Sequence, residues 1–170
     1  LNPATNTDMH NVAVGHGSGF AMTTGLQNTL TGSNSGGALT TGVNNVVVGY
    51  NALASDTAGD NSVAVGHGTL NAQNFSTNTD SHNVAVGYQA GLSVTTGVQN
   101  TLMGSRAGDA LTDADYNVAI GNEALSTDTL GSRNTAVGYV ALANQNFTTA
   151  TDSQNTAVGF YAGNAITTGI

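Results

Sequence analysis

The sequence predicts an all-β fold, a parallel β-roll or β-helix solenoid of about nine coils. Three observations carry that reading: a five-residue phrase closed by glycine recurs at regular spacing, its middle residues are strand formers, and the positions around it fall into columns of like residues. The closing glycines are Gly15, Gly32, Gly49, Gly66, Gly87, Gly104, Gly121, Gly138 and Gly159, with steps of 17, 17, 17, 21, 17, 17, 17 and 21 residues. Three short coils and one long one make a superperiod of 72 residues, giving superrepeats at about 11–82 and 83–154 with partial repeats at both ends. The whole chain, 1–170, reads as one solenoid, and because neither end looks like a capping unit it is expected to be a fragment of a longer fibre chain.

The strands follow in order. NVAVG at 11–15, NTLTG at 28–32, NVVVG at 45–49 and SVAVG at 62–66 serve the first superrepeat; NVAVG at 83–87, NTLMG at 100–104, NVAIG at 117–121 and NTAVG at 134–138 serve the second, and NTAVG at 155–159 opens a third. Alternate residues of a strand point to opposite faces, so each phrase has two parities. One holds Val12 and Val14, Val46 and Val48, Val63 and Val65, Val84 and Val86, Val118 and Ile120; the other holds Ala13, Leu30, Val47, Ala64, Ala85, Leu102, Ala119, Ala136 and Ala157. Both are apolar, the pattern of a strand covered on both faces. Seventeen residues, spent on two short strands and two turns, leave little chain to cover a second face. The expected cover is another copy of the chain, in a homotrimeric rod, the alternative being a wider roll covered by its own loops.

Asn11, Asn28, Asn45, Asn83, Asn100, Asn117, Asn134 and Asn155 open the phrases and are expected to form an amide ladder along the axis. Four residues past the closing glycine, Gly19, Gly36, Leu53, Leu70, Gly91, Gly108, Leu125, Leu142 and Gly163 repeat with the superperiod, which points to packing matched over four coils. At about 4.8 Å per coil the rod is roughly 40 Å long.

Composition narrows the function classes. The chain has two arginines, no lysine, ten acidic residues and a net charge of -8, so no basic patch is available for nucleic acid or an anionic membrane. It has no cysteine for a disulfide or a thiolate ligand, and no apolar run long enough to cross a bilayer. No nucleotide-binding glycine loop, cysteine nucleophile or isolated carboxylate pair appears, so neither enzymatic chemistry nor a cofactor is expected.

NSVAVG at 61–66 resembles the head repeats of YadA-like trimeric autotransporter adhesins, and NTAVGYVAL at 134–142 is similar to repeats in bacteriophage tail fibres. The resemblance extends over all nine phrases, although the 17-residue coil is longer than the adhesin repeat. It implies a left-handed β-roll with three chains about a threefold axis, placed extracellularly on a virion tail fibre or bacterial surface, where it mediates or supports attachment to a host cell. The implied partners are the chain itself and a host surface glycan or protein. A self-assembling structural filament without a receptor is the alternative.

Within the long coils, NFSTNTDSHN at 74–83 and NFTTATDSQN at 146–155 are expected to form projecting loops, with Phe75, Asn78, Asp80, His82, Phe147 and Asp152 as candidate receptor contacts. The competing reading has the phenylalanines cap the roll. His10, His16, His67 and His82 read as turn residues, a metal shared about the axis being the lesser alternative. Asp8, Asp80 and Asp152 lack the spacing of calcium-binding β-rolls and read as turn formers. Thr23, Thr40, Thr57, Thr95, Thr112, Thr129 and Thr167 make a threonine column that raises an ice-binding reading, against which it is interrupted at Asn74 and Asn146.

Overall fold

The computed structural model describes residues 9–170. Asp8 therefore lies outside the described residues. Among these the chain is all-β, without helix, and winds as a parallel solenoid of about nine turns with a repeat near 17 residues. Each closing phrase contributes one three-residue strand: β1 (Val12–Val14), β2 (Thr29–Thr31), β3 (Val46–Val48), β5 (Val63–Val65), β7 (Val84–Val86), β8 (Thr101–Met103), β9 (Val118–Ile120), β11 (Thr135–Val137) and β13 (Thr156–Val158). They join in chain order into one nine-stranded parallel sheet. The register is that of the repeat, with Leu30 opposite Val47, Val47 opposite Ala64 and Ala64 opposite Ala85.

A second strand in every coil is not what forms. Only two-residue pairings occur elsewhere, β4 (Gly59–Asp60) with β6 (Thr79–Asp80), and β10 (Gly131–Ser132) with β12 (Thr151–Asp152), each ending at the inserted residues of a long coil. In all nine coils, the residue five before the closing glycine and the residues two and four after it have positive φ, as in His82, Gln89 and Gly91, or Tyr116, Glu123 and Leu125.

The closing glycines are dictated twice over. From Gly15 to Gly159 their φ lies between 129° and 139°, a region open to glycine alone. A Cβ at Gly15, Gly32, Gly49, Gly66, Gly87, Gly104, Gly121 or Gly138 would also strike the carbonyl oxygen of the closing glycine in the next coil. Stacking at strand spacing and glycine at this corner are one requirement.

The core is a thin column whose volumes compensate from coil to coil. The central strand residues Leu30, Val47, Ala64, Ala85, Leu102, Ala119 and Ala136 are fully buried. Where the centre is Leu30 or Leu102, the column four residues past the closing glycine carries Gly36 or Gly108; where it is Ala64 or Ala136, that column carries Leu70 or Leu142. A Cβ at Gly36 or Gly108 would press on Leu30 or Leu102. Seven residues past the closing glycine a further inward column reads Met22, Leu39, Asp56, Gln73, Val94, Leu111, Asp128, Gln145 and Ile166. Two coils of each superperiod are thus filled with hydrocarbon and two with a buried polar pair.

That pair completes the asparagine ladder. In the regular coils Asn28 Nδ2 donates to Asn11 Oδ1 at 3.1 Å and to the Gly42 carbonyl at 2.8 Å, while the Asn28 backbone N–H donates to the same Asn11 oxygen at 2.8 Å. The pattern continues through Asn45, Asn100, Asn117 and Asn134, so each buried amide is satisfied by its neighbours in adjacent coils. Ser62 breaks the column, and Gln73 spans the gap: its Nε2 donates to Asp56 Oδ2 and Ser62 Oγ, and its Oε1 accepts from Asn83. Gln145 does the same between Asp128 and Asn155. The carboxylates of Asp56 and Asp128 are fully buried without a cation beside them, held instead by N–H donors, among them the backbone N–H groups of Gly59 and Phe75 for Asp56.

Candidate interaction surface

The outer face of the nine-stranded sheet carries a row of exposed apolar side chains. The strand residues flanking each buried centre point outward, so Val12, Val14, Val46, Val48, Met103, Ile120 and Val158 are exposed, Val46 by 41% and Ile120 by 37%. Of the remaining outward positions, Val63, Val65, Val84, Val86, Val118 and Val137 are half-buried and Thr29, Thr31, Thr101, Thr135 and Thr156 are threonine, and no charged side chain stands on the strands of this face. Of the two apolar parities read in the sequence, one fills the core from Leu30 to Ala157 and the other, half-buried to exposed, faces outward in the single chain. The chain's own loops do not cover it.

The long-coil loops differ from expectation. Phe75 and Phe147 are only 6% exposed, so they turn inward and do not serve as projecting contacts. The Phe75 ring lies against Gly59, and the backbone N–H of each phenylalanine donates to the buried carboxylate of Asp56 or Asp128. The capping alternative is the one realised, because the polar pair beneath needs both a donor and a cover. The other candidates remain at the surface, and Asn78, Asp80 and Asp152 are engaged there. Asn78 Oδ1 accepts from Thr41 Oγ1 at 2.9 Å, two coils away; Asp80 accepts from Asn61 at 2.6 Å; Asp152 pairs with Arg133 at 3.3 Å; and His82 is an exposed turn residue with φ 47°. What stays free at each loop is a short polar tip, Ser76 and Thr77 in the first and 148–150 in the second.

Charge is sparse, and both arginines are paired. Arg106 meets Glu123 at 3.7 Å, and Arg133, besides Asp152, lies over the Tyr116 ring at 5.2 Å. Burial raises the Asp60 carboxyl above its ordinary range despite the Val43 backbone N–H that donates to it at 2.7 Å. Burial likewise raises Asp109, whose Oδ1 is the one buried side-chain polar atom without a partner among the described residues.

The threonine column is structural. Thr23 and Thr40 donate their hydroxyls to the Thr40 and Thr57 carbonyls, and Thr95 and Thr112 to the Thr112 and Thr129 carbonyls of the next coil.

One residue past the closing glycine a column of rings climbs the surface. Tyr50, His67 and Tyr88 occupy consecutive coils with centroids 5.2 and 5.3 Å apart, and Tyr139 stacks on Phe160 at 5.4 Å. Below Tyr50 the column has Ser33 and then His16, and there the surface opens into a groove of about 470 Å³ lined by these residues with Phe20, Asn34 and Asn51. The exchange of His for Tyr along this column is visible in the sequence; the groove left by one serine is not. Comparison of the chain with family models, curated proteins and solved structures returns no match.

Proposed function

We propose that the chain is a rod segment of a homotrimeric surface attachment fibre, of the kind that a phage tail fibre or YadA-like adhesin presents to a host cell. The observation that carries this reading is the open apolar face of the nine-stranded sheet, which runs along the solenoid with the repeat. Burying one exposed valine contributes roughly 1.5 kcal/mol, so a face that recurs coil after coil favours association strongly. A face continued along the axis suits side-by-side packing of parallel copies, and a closed threefold arrangement covers it on every chain without leaving an open-ended array. The fold supports the fibre role on two further counts: stacked coils add length at low sequence cost, and the glycine corners and asparagine ladder fix each coil on the next.

The natural chain has no cysteine, so single cysteines report neighbours cleanly. Val48→Cys, on the open face, should be captured by a short bismaleimide as a covalent dimer, the largest product that one thiol per chain allows, whereas Thr77→Cys, on a loop tip, should remain monomeric under the same treatment. Equal capture of both variants, or capture of neither, contradicts the proposal, and native masses of the unmodified chain beyond three copies favour the structural filament.

A further inference from the structure

The groove between coils one and three is a gap in an otherwise stacked column. Neighbouring rings of that column sit 5.2 and 5.3 Å apart at Tyr50, His67 and Tyr88. His16 and Tyr50 are separated by two strand spacings, about 10 Å, with the small side chain of Ser33 between them, which is the room that one inserted ring takes up. Phe20, 86% exposed, forms a further apolar wall. Asn34 Nδ2 donates to Asn51 Oδ1 at 2.9 Å, which leaves the Asn34 carbonyl and the Asn51 amino group as an acceptor and a donor at the edge.

The repeat itself shows that the fold does not require this arrangement. Seventy-two residues on, the equivalent positions hold Tyr88, Ser105 and Asn122, so the serine recurs without its second ring. Asn34 and Asn51 are replaced there by Arg106 and Glu123, which pair with each other. Only the first superrepeat combines two facing rings, a spacer and a pair of uncharged amides.

We infer that this slot binds a neutral pyranose ring of a glycan. A sugar ring offers an apolar C–H face to His16 or Tyr50 and a rim of hydroxyls to Asn34 and Asn51. A purely aromatic guest would fill the slot but leave the amides unused, and a charged guest finds no opposite charge from a carboxylate or guanidinium in the lining. The inference deepens the attachment reading and rests on it for the source of the sugar, a cell-surface glycan.

The test is titration of the full 170-residue chain with neutral gluco-, galacto- and manno-configured trisaccharides, followed by saturation-transfer NMR and calorimetry. At least one should bind. Ser33→Tyr, which inserts the ring that the column carries in later coils, should weaken binding more than tenfold with its circular dichroism unchanged, while Ser105→Tyr should leave binding intact. Absence of binding by all three sugar series, equal affinity of Ser33→Tyr and the natural chain, or binding of phenol and indole probes without any sugar overturns the inference. Native mass and cross-linking at Val48→Cys read the rod independently, so a trimer that binds no sugar removes the slot and keeps the rod, and a sugar-binding monomer does the reverse.

Discussion

At the residue scale, order rests on polar groups satisfied by their counterparts one coil away. Asn28, Asn45, Asn100 and Asn117 are fully buried, yet each amide has its partners in adjacent coils. Leaving such a group unpaired costs about 1–3 kcal/mol, and beside Ser62 the Gln73 amide supplies the partner to the Asn83 side chain. Asp109 is the exception, since its Oδ1 is buried and unpaired and burial raises its pKa. Asp60 is raised for the same leading reason. A carboxyl with a raised folded pKa holds more protons in the native than in the unfolded chain over the window just above 3.8, so the stability these two groups cost when ionised is recovered as pH falls through their folded pKa values. Asp109→Asn is therefore expected to stabilise the chain at neutral pH by about 1 kcal/mol and to flatten its gain in stability on mild acidification, measured by urea unfolding between pH 7 and pH 4. Destabilisation by this change at neutral pH contradicts that account. The asparagine ladder was legible because its column is nearly uniform. The Asp56–Gln73 pair was less so, because it is a mixed column of hydrocarbon and polar residues that makes sense only once all nine coils are aligned seven residues past the glycine.

The element scale belongs to the coil and its corners. The closing glycine is held by two separable effects, a φ that other residues avoid and the carbonyl of the next coil lying where a Cβ would be. Gly104 has both; Gly68 has φ 66° and open space, its would-be Cβ approaching Gln89 only to 3.6 Å. Gly68→Ala should cost about 1 kcal/mol of left-handed strain, and Gly104→Ala at least about 3 kcal/mol, because the neighbouring coil must also move. Thermal and urea unfolding of the two variants compares them, and equal losses would remove the stacking role of the corner. This spacing rule was readable directly from the 17-residue steps. The fate of the long coils was not: four extra polar residues with a phenylalanine read equally well as a projecting loop or as a cap. The burial of Phe75 over Asp56 depends on a carboxylate 19 residues earlier in the chain. Asn78, similarly, reaches Thr41 two coils away, a contact that no local pattern announces.

At the scale of the molecule, a column of coils stacked in register has two surfaces to account for. The inner one is complete: Leu against Gly, Ala against Leu, and a polar pair in the remaining layers of each superperiod. The outer one is a strip of valine, isoleucine, methionine and threonine on the nine-stranded sheet, half-buried to exposed in the single chain. Doubly apolar strands foretold this in the sequence, and the groove at Ser33 did not appear there because a missing ring becomes a slot only when its neighbours are seen to stack. The account turns on whether copies of the chain close over that strip. Native mass spectrometry of the unmodified segment at micromolar concentration tests this most directly: a single species at three times the 16.9 kDa chain mass is the expected result, and a stable, fully folded monomer would contradict it.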